Sequence, residues 1–224
     1  MLFKKANPLL WDPPETRLER QRMVQEQLRG RGIGDARVLE VMERLPRERF
    51  VLEIYQELAY RDGALPIGQE QTISQPYMVA VMAELLALKG EERVLEVGAG
   101  SGYGAAVLAQ LAGEVVAVER IDALLKAAVE RWDALGLENI RGVLGDGSVG
   151  YEGLYDAISV TAAAPEIPPS LVAQLRPVTG RMVIPVGTRG MQNLLLVRKG
   201  EEGEILIHTL FACTFVPLLG KEGW

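Results

Sequence analysis

The sequence predicts an α/β protein on a doubly wound, mostly parallel, Rossmann-like sheet, with a helical extension before the sheet and an antiparallel hairpin at its end. Three observations carry that expectation. From residue 93 onward, short apolar runs alternate with segments of helical period, the pattern of a parallel sheet covered by helices on both faces. The stretch 94–103, VLEVGAGSGY, joins an apolar strand to a glycine turn and a helix start. Such turns bring backbone close to a nucleotide-like ligand. From residue 194 the helical period is lost, and strand-like runs follow one another with short gaps.

The elements follow in order. Residues 1–15 read as an irregular leader without a signal-like apolar core. Thr16-Arg-Leu-Glu19 is a capping-box pattern, so a helix is expected from there to about Gly30. Asp35 can cap a second helix, with Val38, Leu39, Val41, Met42 and Leu45 on one face and Pro46 as its stop. Residues 47–60 are expected to be partly helical, with Phe50, Ile54, Tyr55 and Leu58 packed inward.

The stretch 60–77, YRDGALPIGQEQTISQPY, has no clean period and is expected to be a long ordered loop, a kind often functional. Ser74 closes it as the expected N-cap of a helix with Pro76 in its first turn, ending near Lys89-Gly90. Strands are then expected at 93–97, 114–119, 140–144, 155–160 and 181–186, with helices at about 102–112, 122–135 and 168–175. The runs 194–198, 205–210 and 213–216 are expected to add the antiparallel hairpin to the sheet edge. Residues 1–77 are read as an extension carrying a substrate loop, and 78–224 as the cofactor-binding α/β domain, the two forming one compact unit.

Composition narrows the function classes. A net charge of −6 argues against a non-specific nucleic-acid binder. The one cysteine, Cys213, sits in an apolar run and is read as a buried structural thiol. No apolar run approaches the ~20 residues of a membrane span. A cytoplasmic protein is expected, with a monomer favoured and no nucleic-acid, membrane or metal partner.

The glycine turn points to a particular cofactor. A dinucleotide site wants G-x-G-x-x-G, but here the run is Gly98-Ala-Gly100-Ser101-Gly102-Tyr103. The third glycine comes one residue early and Tyr103 stands where the fingerprint has glycine. That favours S-adenosylmethionine, which has no pyrophosphate to seat, over a nicotinamide dinucleotide. Glu96, before the turn, is placed to help hold the ammonium end. Glu119 closes the next apolar run, EVVAVE, about 20 residues after Gly98, where an acid takes a ribose diol. Asp146, in Leu144-Gly-Asp-Gly147, is placed to accept from the adenine amino group.

Several segments together resemble the protein-L-isoaspartate O-methyltransferase family: LPIG at 65–68, QTISQPY at 71–77, the glycine turn, VTAAAP at 160–165 and RMVIPVG at 181–187. The glycine turn is shared by many methyltransferases, whereas the second and fourth segments are far more specific. The resemblance runs from about residue 17 to Leu218 and implies a class I methyltransferase fold. It also implies methylation of the carboxylate of L-isoaspartyl residues in damaged proteins and peptides. The ester then collapses to a succinimide, whose hydrolysis returns some normal linkage.

The resemblance marks Ser74 as catalytic and puts Thr72, Ile73 and Gln75 along the cofactor and substrate pocket. It places Thr161, Ala162 and Ala163 at the methyl-transfer site, with Pro66 on the substrate side. One departure is visible: many members have His-Gly where this chain has Gln69-Glu70. That puts an acid near an anionic substrate, and Glu70 is expected to point to solvent.

The chemistry implied needs little. The acceptor carboxylate, with a reference pKa near ~4, is ionised at pH 7, so no general base is required. Ser74 is expected to orient it by a hydrogen bond and not to act as a nucleophile, since no His/Asp pair is at hand to activate it. The only histidine, His208, lies in a strand-like run and reads as structural or exposed. Two alternatives stay open: a methyltransferase for another nucleophile, and a non-catalytic cofactor binder.

Overall fold

The computed structural model describes residues 13–224; most of the expected leader lies outside them. Helix α1 (Arg17–Arg22) runs on through a π-helical segment, Met23–Leu28, and a 3-10 turn, Arg29–Arg31, into Gly32, whose positive φ ends it. The expected capping box does not form. The Thr16 hydroxyl donates instead to Glu48 (3.0 Å) and accepts from Arg20, which ties α1 to the turn after the second helix. Helix α2 (Ala36–Arg44) has the expected cap, the Asp35 carboxylate accepting from the amides of Arg37 (2.8 Å) and Val38 (3.2 Å). Two 3-10 turns follow, Arg47–Phe50 and Glu53–Leu58. Phe50 is buried as expected, but Ile54 is 78% exposed, because the second turn lies on the surface.

The stretch read as a loop is a hairpin. Strands β1 (Leu65–Gly68) and β2 (Gln71–Ile73) pair antiparallel across a two-residue turn. Gln69 and Glu70 carry that turn at φ 53° and 58°, the left-handed pair of a type I′ turn that asparagine and glycine usually fill. Helix α3 (Pro76–Leu85) then starts one residue later than expected. Gln75, not Ser74, holds the cap position, and its side chain makes no capping bond.

The main sheet has seven strands: β3 (Arg93–Val97), β4 (Glu114–Glu119), β5 (Ile140–Leu144), β6 (Ala157–Val160), β7 (Arg181–Gly187), β8 (Gln192–Lys199) and β9 (Ile205–Cys213). Their order is β5-β4-β3-β6-β7-β8-β9, parallel through β7 and antiparallel for the last two. Helices α4 (Tyr103–Leu111), α5 (Asp122–Ala134) and α6 (Pro169–Ala173) fall between strands. The expected run 213–216 is not a separate strand. β9 is continuous to Cys213, and Pro217 bridges to Ala163. Cys213 is half-buried, and burial pushes its thiol up to about 11.

Side chains alternate between the two faces. Val94, Val115, Ala117 and Ala157 pack under α4 and α5 in one core with Met23, Leu28, Leu39 and Met42 of the N-terminal helices. Leu95, Val97, Val116, Val118, Ile158 and Val160 pack on the other face with Leu171 and Leu175. No helix among the described residues is long and apolar enough to cross a membrane.

Candidate active site

The sheet order reverses between β3 and β6, so the chain leaves these neighbouring strands in opposite directions and opens a crevice at their carboxyl ends. Gly98 follows β3 there and Thr161 follows β6. The Thr161 amide donates to Val97 O (2.9 Å), and its hydroxyl reaches Gly98 O (2.6 Å). A Cβ on Gly98 would lie 2.6 Å from that hydroxyl oxygen, which is why the turn needs glycine at this point.

A cavity of about 520 Å³ opens over this crevice. Gly98, Gly100 and Gly147 form its floor, and Thr161 and Ala162 one side. The β1–β2 hairpin, through Gln69, Glu70, Gln71 and Thr72, closes a second side. Glu70 is exposed as expected, yet it belongs to the cavity rim.

Glu119 is the anchor of this site. Its carboxylate, 6% exposed, accepts from the amides of Gly100 (2.9 Å), Arg120 (2.8 Å) and Ile121 (2.9 Å). An ionised carboxylate offers about four acceptor directions, so one donor bond to the glycine turn and two to its own loop fix it while leaving capacity for a ligand hydroxyl. A cavity of this volume, a backbone-lined glycine floor and a fixed carboxylate at the second strand end fit an adenosine-type cofactor.

Glu96 stands apart from this cavity. It shares the face of Val94, and its register partner on β6 is Ser159. Together they line a second cavity of about 20 Å³ with Ser74, Thr161 and residues of α3 and α4, room for about one water molecule. Glu96 is 1% exposed and lies under the first turn of α4, where a Cβ on Gly104 would stand 2.1 Å from its Oε1. Burial pushes its carboxyl well above the ordinary carboxylate range, the Ala105 amide holds it down in part, and nearby Glu119 adds to the rise.

That shift has a definite sign. Between the ordinary value and the raised one, the folded chain keeps a proton that the unfolded chain has released. The stability tied to Glu96 is whole at low pH and is lost as pH rises through that window. Glu96→Gln keeps the shape and removes the titration. We expect its melting temperature to fall less than the wild type's between pH ~5 and ~8. Parallel curves for the two proteins, read by calorimetry, would contradict this.

Tyr103, Ser101 and Asp146, also expected at the cofactor, do not line the large cavity either. Tyr103 is buried, with its ring against Phe50 (centroids 5.3 Å apart) and beneath the Arg47 guanidinium (4.9 Å), facing the N-terminal extension and not the cavity. It begins α4 on the side that the extension covers. Ser101 turns inward, accepting from the Tyr103 amide (3.3 Å), and Arg131 binds its carbonyl (3.1 Å). The Asp146 carboxylate does not line the cavity. It accepts from the Ser148 amide (2.9 Å) and hydroxyl (2.7 Å) and from the Lys221 amide (2.8 Å). Burial works to raise its pKa, but the Lys221 and Ser148 donors outweigh that and hold it below the ordinary value.

Asp146 thus latches a C-terminal strap that sequence reasoning left without a role. Val216, Pro217, Leu218 and Leu219 of this strap wall the large cavity. It is held by Ala163, whose amide donates to Val216 O and whose carbonyl accepts from the Leu218 amide, each at 2.7 Å. Beyond it, Glu222 accepts from the Ser170 amide (2.8 Å) and hydroxyl (2.6 Å), and the Trp224 indole donates to Ala163 O (3.1 Å). Arg120 and Ile121 complete the cavity wall beside Glu119. In the sequence, these were an ordinary strand-to-helix junction and a chain end.

Ile73 is buried at the end of β2, and Gln75 and Pro66 line neither cavity. Gly102 and Ala163 act through backbone: the Gly102 carbonyl accepts from the Trp132 indole (2.9 Å).

Comparison with known proteins bears on the same residues. The family model described as protein-L-isoaspartate(D-aspartate) O-methyltransferase matches residues 19–223. A protein-L-isoaspartate O-methyltransferase of Trichlorobacter lovleyi is 51% identical over 209 residues, covering 92% of this chain and 96% of the relative. One from Methanoculleus marisnigri is 50% identical, covering 93% and 94%. A solved protein-L-isoaspartate O-methyltransferase superimposes with a TM-score of 0.82 at 30% identity, covering 91% of this chain and 67% of its own. A Plasmodium falciparum beta-aspartate methyltransferase, solved with S-adenosyl-L-homocysteine, gives 0.75 at 27% identity, covering 89% and 98%.

Proposed function

We infer the work of the individual residues from one premise: this chain belongs to the protein-L-isoaspartate O-methyltransferase family. It transfers the methyl group of S-adenosylmethionine to the carboxylate of L-isoaspartyl residues in damaged proteins, which starts their repair. The observation that carries the activity is the family match over nearly the whole chain.

S-adenosylmethionine, when bound, supplies a methyl group already activated on a sulfonium. The chain's own residues then have to hold it, align the acceptor and keep water out. Gly98, Gly100 and Gly147 would lie against it by backbone, and Glu119 would take its ribose. Leu218 and Leu219 of the strap exclude water from the outer side. Glu96 would meet an ammonium group only by giving up the proton that burial favours. Its part is therefore proposed as indirect, through the start of α4 that it fixes.

Ser74 and Thr161 are proposed to bracket the acceptor. Both line the small cavity, and Thr161 also lines the large one, so Thr161 stands between the two spaces. Ser74 donates a hydrogen bond that orients the acceptor carboxylate. Thr72 and Ala162 shape the wall beside it. A cytoplasmic monomer with isoaspartyl proteins as its partners is the setting proposed, and the acidic balance supports the part of it that leaves out non-specific nucleic-acid binding.

The test is a peptide pair. An isoaspartyl peptide should give a base-labile methyl ester with S-adenosylmethionine, and its aspartyl twin far less. Ser74→Ala should lower kcat by about ten- to a hundredfold, the range for a lost orienting contact, with little change in cofactor affinity. Tight cofactor binding with no ester from either peptide would sink the reading.

A further inference from the structure

We propose that Arg47 is a positioning residue for the methyl transfer: its guanidinium fixes Ser74 relative to the helix that follows the glycine turn. The proposal rests on the role given to Ser74 above. Arg47 is fully buried, in the short turn after Pro46. Its Nε donates to Ala59 O (2.7 Å) and its Nη2 to Ser74 O (2.7 Å). The guanidinium lies 4.9 Å from the centre of the Tyr103 ring, at the first residue of α4. Its Nη1 has no hydrogen-bond partner among the described residues.

A buried guanidinium is expensive, and an apolar side chain of similar volume usually serves stability as well or better. Here its charge is met by two main-chain carbonyls and a ring face. What the arginine adds is geometry. Its rigid planar fork reaches two acceptors from separate segments at once, which the single ammonium of a lysine does not reproduce.

The Ser74 carbonyl is a critical place to hold. Ile73, before it, is buried at the end of β2. Gln75, after it, is kept extended by Pro76, which also has its own φ fixed. The remaining freedom between strand and helix is the rotation of the Ser74–Gln75 peptide, and the Arg47 bond removes it. Holding that peptide fixes the direction in which the chain passes from Ser74 into α3, and so fixes where the Ser74 hydroxyl stands relative to that helix. The same guanidinium touches Tyr103, which directly follows the cavity's glycine turn, so the acceptor side and the donor side share one brace.

The test uses the full chain with Arg47→Lys and Arg47→Met, each alone and combined with Ser74→Ala. The readouts are kcat and KM for an isoaspartyl peptide, cofactor affinity by calorimetry, and melting temperature. We expect Arg47→Lys to lower kcat about ten- to a hundredfold, with cofactor affinity within about threefold of the wild type. In the double variant the two losses should not multiply, because both act through the Ser74 hydroxyl. If Arg47→Met does not fold, the lysine variant alone decides.

A lysine variant that melts lower but keeps wild-type kcat would reduce Arg47 to a structural part and overturn the proposal. So would losses that multiply with Ser74→Ala. Failure of the underlying reading looks different: Ser74→Ala itself would leave kcat unchanged, or the wild type would make no ester.

Discussion

Replacing Glu119 with alanine is expected to weaken S-adenosylmethionine binding about a hundredfold or more. Hydrogen bonds to a charged acceptor contribute roughly 1.5–3 kcal/mol each, and the one acceptor direction that Glu119 leaves free takes one ribose hydroxyl, so the direct loss alone spans about ten- to a hundredfold. A second loss adds to it. The amide of Gly100 loses its acceptor at 2.9 Å, as do those of Arg120 and Ile121, so the cavity floor is no longer held in place before the cofactor arrives. Glu119→Gln should also be poor, since its amide would turn a donor toward one of those N–H groups. Titration calorimetry with S-adenosylhomocysteine measures the change without turnover. An alanine variant within about threefold of the wild type would remove Glu119 from the site.

Gly102→Ala is expected to be the most destabilising single methyl in the glycine turn. Gly102 has φ +87°, and a Cβ there would lie 2.7 Å from the Trp132 indole nitrogen and 2.9 Å from the Ala128 Cβ. Left-handed backbone costs an alanine about 1–2 kcal/mol. Forcing atoms into a packed interior costs about 1–3 kcal/mol more. The bond from the Trp132 indole to the Gly102 carbonyl is then strained as well. Gly32 provides the control, with φ +95° and nothing within 4 Å of where a methyl would stand. Gly32→Ala should show the backbone cost alone. Denaturant unfolding of both variants separates the two terms, and equal losses would mean that the contact with Trp132 is soft.

How far the sequence was legible varies by element and for physical reasons. Strands β3, β4, β6 and β7 were readable because they are largely buried on both faces and read as apolar runs, whereas β5 is a partly exposed edge strand. The place of Glu119 beside the glycine turn was readable because it ends such a run, while its work on a ribose belongs to the proposal above. The β1–β2 hairpin was not, since each strand is very short and its turn uses Gln69 and Glu70 where the usual signal is Asn-Gly. Ser74 looked like a helix cap because serine before Pro76 fits that role, but Arg47 claims its carbonyl and the helix begins beyond it.

Tyr103 was informative for a reason other than the one expected. It disfavoured a dinucleotide site by its position, yet its ring serves the contact between α4 and the extension. Asp146 sits at the expected strand end with its carboxylate committed to the strap. Which of two carboxylates at strand ends faces a ligand depends on what packs from far along the chain, and local pattern does not carry that.

The strap couples occupancy of the cavity to protection of the chain around Lys221. Lys221 is exposed, and its amide is one of the links holding Leu218 and Leu219 over the cavity. A ligand seated beneath those leucines lowers the population of the peeled form that a trypsin-like protease must capture, by the factor that mass action sets. Cleavage after Lys221 should slow as S-adenosylmethionine or its demethylated product is added, and a rate indifferent to either would show that the strap opens independently. A chain built this way is spared cleavage at its strap for as long as either form of the cofactor is seated beneath it.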